Sequence, residues 1–358
     1  MQRPFADSFE SSSEDSRKGG RGGAVAGGII PGELAPGGGT PAISETQLGS
    51  RRTIANITAK EWAFLAITGA GVLAGAAFAI YFLATNAADM NSDFTLALLL
   101  LMNAGFAAYY LLDGVFTERA YELLALVGTE IMLLVYLVAN FVYMKGWESP
   151  VKIARLTTAG VLAPPSVALG IMIIYEYFSS GNFIFRKVGA DASLQRLCRR
   201  LFATESVIKF DLQSTLSVVL LIVKSGAFSL AEELALGLGI GLSLLWNGFA
   251  IVAIRLENYS LTIILLITGL IQPAYMTFVV VANVDLLVDT NNTFIPANAD
   301  FSNASPNVSL ATSLFALVLR FGLLALMLLA MRNYGNGLRR KLVPPILRRL
   351  TRSEYESV

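Results

Sequence analysis

Residues 310–331 read LATSLFALVLRFGLLALMLLAM, an apolar run with one charge, Arg320. At 1.5 Å rise per residue, some 20 apolar residues cover the ~30 Å hydrocarbon core of a bilayer. This run is long enough to cross. Seven comparable stretches precede it, near Trp62–Ala84, Phe94–Phe116, Ala120–Tyr143, Ile153–Phe178, Ser206–Phe228, Leu234–Ile254 and Leu261–Asn283. The chain therefore reads as all-α, a polytopic integral membrane helical bundle of about eight transmembrane helices. The fifth stretch is the most polar, with Lys209, Asp211 and Gln213 in its first two turns. Were it to lie on the membrane surface, the count would fall to seven.

Composition agrees with that class. Of 358 residues, 54% are hydrophobic and 15% charged, against about 25% charged in a soluble domain. Residues 1–55 are Gly-, Ser- and Pro-rich, including Gly19-Gly20-Arg21-Gly22-Gly23. Such a segment buries too little apolar surface to offset its ordering entropy, so a disordered cytosolic tail is expected. It has no cleavable signal pattern, and the first stretch then serves as an uncleaved anchor. Residues 60–333 form the transmembrane domain, and 334–358 a basic cytosolic tail.

Several chemistries are excluded by what is missing. The chain has no histidine and one cysteine, Cys198. That removes His-ligated haem or zinc, histidine base catalysis, an intrachain disulfide and Cys-based clusters. No phosphate-binding G-x-x-x-x-G-K-[ST] motif occurs, so an ATP-driven motor is not expected. No cofactor, no metal site and no catalytic residue is expected, and the reading is not an enzyme. A net charge of +1 gives no reason to expect nucleic acid. The receptor signatures Asp/Glu-Arg-Tyr and Asn-Pro-x-x-Tyr are absent.

Orientation follows from the basic residues. With the N-terminus in the cytosol, the inner segments hold Arg51, Arg52, Lys60, Arg119, Arg186, Lys187, Arg196, Arg199, Arg200, Arg255 and the many bases of the C-tail. The outer segments hold only Lys145, Lys152 and Lys224. Both termini are thus expected in the cytosol, in a plasma membrane or endomembrane. Three N-x-[ST] acceptors, Asn291, Asn303 and Asn307, fall in the loop before the last span. They fit a lumenal or extracellular face and a glycoprotein. Asn56 and Asn258 also match, on the cytosolic side.

Two charges lie in mid-span. Arg320 is about ten residues from either end of its run, some 15 Å of helix each way. Glu130, in Leu126-Val127-Gly128-Thr129-Glu130-Ile131, sits as deep. A charge in hydrocarbon costs several kcal/mol unless it is paired or hydrated. Opposite signs at matching depth point to a pair or a shared hydrated cavity, as a substrate site or as a structural lock. As a substrate site, Arg320 would favour an anionic group. Asp211 and Gln272 join the two as candidate substrate-binding residues, with Asp211 turned inward, away from a Glu205–Lys209 pair. Pro164-Pro165 and Gln272-Pro273 interrupt two spans, and broken helices build midplane sites in transporters. Gln272 and Asn247 serve equally as interhelical hydrogen bonds.

Gly71-x-x-x-Gly75 and Gly237-x-x-x-Gly241 permit close helix approach, and the small residues of the first span place it inside the bundle. Two segments alternate bases with apolar residues, 194–202 and 338–350. Both suit an anionic leaflet, with Cys198 open to palmitoylation. The partners expected are membrane lipids, anionic headgroups at the central loop and C-tail, a small solute, and with self-association left open. Four stretches before the central basic loop and four after it hint at a 4+4 body. The functional reading is a transporter or channel-like protein for a small solute, an anionic one where Arg320 binds it. A receptor or sensor, or a structural scaffold, is the alternative.

Overall fold

The computed structural model describes residues 43–46, 49–52, 57–85, 92–143, 146–222, 230–274, 277 and 306–335. The loop carrying Asn291 and Asn303, the C-tail from residue 336 and most of the N-terminal tail lie outside them. Within that tail, β1 (Ile43–Thr46) and β2 (Gly49–Arg52) pair antiparallel, Ile43 opposite Arg52. Both strands fall inside residues 1–55, the segment expected to be disordered.

Nine α-helices with described bounds follow, besides the helical residues 271–274 and a 3-10 turn at Gly146–Glu148. They are α1 (Ala59–Thr85), α2 (Ser92–Thr117), α3 (Ala120–Tyr143), α4 (Pro150–Ser180), α5 (Asn182–Val188), α6 (Ala192–Ile222), α7 (Leu230–Leu256), α8 (Tyr259–Gly269) and α9 (Pro306–Met331). Their starts are written locally. The Thr58 hydroxyl meets the Glu61 amide at 3.3 Å, and Glu61 accepts from the Thr58 amide at 2.7 Å, a reciprocal capping box that opens α1. Asp191 accepts from the Ser193 and Leu194 amides and caps α6. Asn258 accepts from the Leu261 amide at 3.1 Å and caps α8.

The tight turns after α2 and α7 use one device. Glu118 (φ 54°) and Glu257 (φ 51°) are both left-handed. In each case the next amide reaches back five residues, Arg119 to Gly114 at 2.9 Å and Asn258 to Ala253 at 3.1 Å. This is the Schellman closure, with glutamate where glycine is usual.

Among the described residues, six helices are long and apolar enough to cross a membrane: Ala59–Thr85, Leu96–Thr117, Ala120–Val142, Pro150–Ser180, Gly237–Leu256 and Ala311–Met331. The chain is thus an all-helical membrane protein over this region. The other two expected spans lie partly outside the described residues. The fifth falls in α6, which is more polar than the six yet well enclosed. Thr204, Glu205, Ser206, Asp211, Gln213, Ser214 and Thr215 are all buried. It packs on α2, α3, α5, α7 and α9. Polar side chains are tolerated there because protein, not lipid, surrounds them. The surface-lying reading of this segment does not hold.

The seventh expected span begins as α8, turns at Leu270 and is helical again over residues 271–274, and most of its remainder lies outside the described residues. Pro273 has no amide to offer the Gly269 carbonyl four residues back, and α8 ends there. By contrast, Pro164 and Pro165 sit inside α4 without ending it.

Two apolar cores result. One joins α1–α4 around Phe64, Tyr110, Leu123, Leu126 and Ile173. The other joins α5–α9 around Phe202, Ile208, Ile254, Leu265 and Met327. Side chains of neighbouring helices pack tightly onto Gly170, where a Cβ would lie 2.7 Å from Val127, and onto Gly269, 2.9 Å from Leu324 and Trp246. The glycine pairs singled out above do not do this. Gly75, Gly237 and Gly241 face open space, and Gly71 lies 3.8 Å from Leu162. Nor is α1 internal, since Leu73, Ile80 and Tyr81 are exposed. Its small residues instead leave room for a cavity. The basic segment 194–202 is not a separate surface helix but the first turns of α6. Cys198 is fully buried there against Phe202 and its neighbours, which closes it to palmitoylation.

Candidate functional site

Arg320 and Glu130 do not pair. Arg320 on α9 donates to Asp211 on α6 at 2.6 Å, and the two side chains are 2% and 1% exposed. The helix packing explains the choice. α9 packs on α6, α7 and α8, whereas α3, which carries Glu130, packs on α2, α4 and α6. α6 stands between the two expected partners and supplies its own carboxylate. Asp211 is turned inward, as expected from its offset from Lys209.

The Arg320 guanidinium makes two further contacts. Its Nε donates to the Gly269 carbonyl at 3.4 Å. That is the carbonyl left without an amide by Pro273. The guanidinium carbon lies 3.6 Å from the centre of the Trp246 ring, a cation–π contact. Trp246 is itself held, its Nε1 3.2 Å from both the Leu265 carbonyl and the Thr268 hydroxyl. Arg320 thus has a carboxylate, a carbonyl and an aromatic face. An anionic solute would have to displace Asp211 to reach it. Gln272 donates to Thr215 on α6, an interhelical bond rather than a group turned to Arg320. Asn247 donates to the Ser243 carbonyl within its own helix at 2.8 Å.

Glu130 has different surroundings. Its carboxylate accepts from the Ser166 hydroxyl, at 2.8 and 2.9 Å to the two oxygens. Ser166 lies 2.5 Å from the Thr68 hydroxyl. A hydroxyl relay therefore runs from α1 through α4 to Glu130, directly after Pro164-Pro165. No basic side chain is within ion-pair reach of Glu130 among the described residues. All three groups line a cavity of about 120 Å³ between α1, α2, α3 and α4, whose α1 wall is Gly71, Val72 and Gly75. Arg155 lines it too, eleven residues before Ser166 on α4, roughly 16 Å along the helix. It donates to Asn140 at 3.2 Å.

Thr129, next to Glu130, faces a second cavity of about 460 Å³ between α2, α3, α6 and α9. It approaches Gln213 Oε1 at 3.3 Å, and Gln213 Nε2 donates to Asn103 at 2.6 Å. These three residues close the wall between the cavities.

A further cluster was not anticipated. Asp113, Arg119, Glu122, Glu205, Lys209 and Arg255 meet where α2 and α7 end and α3 begins, against the middle of α6. Lys209 reaches Glu122 at 2.6 Å and Glu205 at 3.6 Å. Arg119 reaches Glu205 at 3.1 Å and Asp113 and Glu122 at 3.6 Å. Arg255 reaches Glu205 at 2.5 Å. Only the Glu205–Lys209 pair was legible from spacing; Arg119 and Arg255 read as topology charges. Their convergence needed the fold. Burial alone would lower the Arg119 pKa, but the surrounding carboxylates, Glu205 foremost, raise it above its ordinary value. For Glu205, burial acts upward, yet the cations Arg119, Arg255 and Lys209 bring it down to about 2. Three acids and three bases make a neutral knot. It ties four helices at the end carrying both Schellman turns.

Of the three expected glycosylation sites, Asn307 lies in the first turn of α9, and Asn291 and Asn303 lie outside the described residues. No curated protein and no solved structure matches the chain. One family profile does, that of a domain of unknown function, DUF7789, over residues 48–175 and 188–332. The matched stretches contain every buried charge described above, and the chain belongs to the DUF7789 family.

Proposed function

We propose that this membrane protein moves a small cationic solute or a proton, using Glu130 as its exchange site. The observation that carries this is the carboxylate in the α1–α4 cavity, with hydroxyls from Ser166 and Thr68 and no basic group in reach among the described residues. A carboxylate without a counter-charge in low dielectric is unstable by several kcal/mol. It takes up a proton or a cation, and intramembrane carboxyls of this kind build proton relays and ion paths. The reading of Arg320 as an anion site is given up, because Asp211 already neutralises it.

The test is flux. Purified protein in sealed liposomes carries a pH dye, and a membrane potential is imposed. Proton or small-ammonium movement is expected in the parent and lost in Glu130→Gln. A parent protein that moves neither protons nor a panel of small ammonium and metal cations would overturn the proposal. A scaffold is then the better reading. One observation favours that alternative: the knot of six charges joins α2, α3, α6 and α7 with no uncompensated charge.

A further inference from the structure

We infer that the larger cavity is a binding site for a long-chain amphiphile with an uncharged hydroxyl head, entering sideways from the bilayer. This does not rest on the Glu130 reading. The cavity's volume of about 460 Å³ falls within the ~300–1,000 Å³ range of small-molecule sites. Its walls are mostly apolar, and no charged side chain among the described residues lines it. A charged head would therefore enter without a counter-ion, at a cost of several kcal/mol. That selects against fatty acids and phospholipids.

The cavity is open on its membrane side. Ile131, Met132 and Val135 line it and are also exposed on the outer face of α3, Val135 at 65%. A ligand dissolved in lipid needs no aqueous route. Toward the buried Asp211–Arg320 pair, the edge-on rings of Phe210 and Phe315, 6.0 Å apart, form its floor.

One polar group in the lining is waiting for a partner. The Ser214 hydroxyl is buried, 7% exposed, and has no hydrogen bond among the described residues. Its neighbours are committed. Ser217 donates to the Gln213 carbonyl at 2.9 Å, and the Gln213 amide donates to Asn103. A buried hydroxyl left unpaired costs about 1–3 kcal/mol. A ligand hydroxyl both donates and accepts, so one such group meets Ser214 fully while the chain covers the apolar wall.

The test uses the full chain in lipid nanodiscs and a photoreactive hexadecanol with a diazirine near its tail. Saturable adducts are expected on residues 131–139 of α3 and 311–315 of α9, competed by plain hexadecanol. The hexadecanoic acid analogue should label much less at a pH where it is ionised. Ser214→Ala should weaken labelling about two- to tenfold, the factor for one hydrogen bond. Ala139→Trp, which fills the cavity, should abolish it. Equal labelling by the acid, labelling that does not saturate, or labelling unchanged by Ser214→Ala would each overturn the inference. Should Ala139→Trp fail to fold, Ser214→Ala decides alone, since it removes one buried, unpartnered oxygen and nothing else.

Discussion

Arg320 reaches across 2.6 Å to Asp211, and its Nε reaches the carbonyl of Gly269 that Pro273 leaves without an amide. An ion pair and a broken helix are thus one construction. The break in α8 presents an acceptor in the low-dielectric interior, and the arginine fills it. This joins α6, α8 and α9 at one point, with Trp246 of α7 stacked on the guanidinium.

Removing one member of that pair strands the other. Asp211→Leu and Arg320→Leu should each destabilise by about 3–5 kcal/mol, and the double variant should recover most of the loss. Glu130→Leu combined with Arg320→Leu should simply add, since the two do not touch. Folded yield and thermal midpoint in detergent read both. Recovery in the Glu130 pair rather than the Asp211 pair would refute the pairing.

The glycines divide into two kinds. Gly170→Ala and Gly269→Ala place a Cβ 2.7–2.9 Å from neighbouring side chains, and such overpacking costs about 1–3 kcal/mol. Gly75→Ala meets nothing within 4 Å. It should be neutral, or stabilising by up to ~1 kcal/mol from helix propensity. Thermal midpoints of the three variants check the ranking. A Gly75→Ala loss equal to the others would contradict it.

Glu205 gives a pH signature. Its folded pKa of about 2 lies below the ordinary 4.5. Its stabilisation is therefore fully present above pH 4.5 and is lost as pH falls toward 2. Glu205→Gln should destabilise at pH 7, with the gap to the parent closing between pH 4.5 and 2. Melting of both proteins across that window measures it. A gap that stays constant with pH would mean the carboxylate is not what holds the three cations.

Much of this was legible in the sequence. The apolar runs located α1–α4, α7 and α9 to within a few residues, because lipid imposes length and composition directly. The depth of Glu130 and Arg320 and the inward turn of Asp211 followed from helical geometry. The partner of Arg320 did not, because a sequence gives depth but not which helix is adjacent. Polarity misled at α6: Lys209, Asp211 and Gln213 read as a weak span, yet they are polar because that helix is walled by others. Small residues misled at α1 in the opposite way. Gly71 and Gly75 do not bring helices together but leave space in front of Glu130. The knot around Arg119 and Glu205 was invisible as a knot, since its members come from four helices and a turn that meet only in the fold.

The central claim is that Glu130 exchanges protons or cations with its cavity. Its most direct measurement is carbodiimide reactivity, because dicyclohexylcarbodiimide modifies protonated carboxyls in apolar surroundings. Mass spectrometry of the intact protein in liposomes should find the adduct at Glu130, forming faster as pH falls and slower when a transported cation is present. A Glu130 that stays unmodified at every pH, or reacts at one rate whatever the pH and cation, would contradict the account.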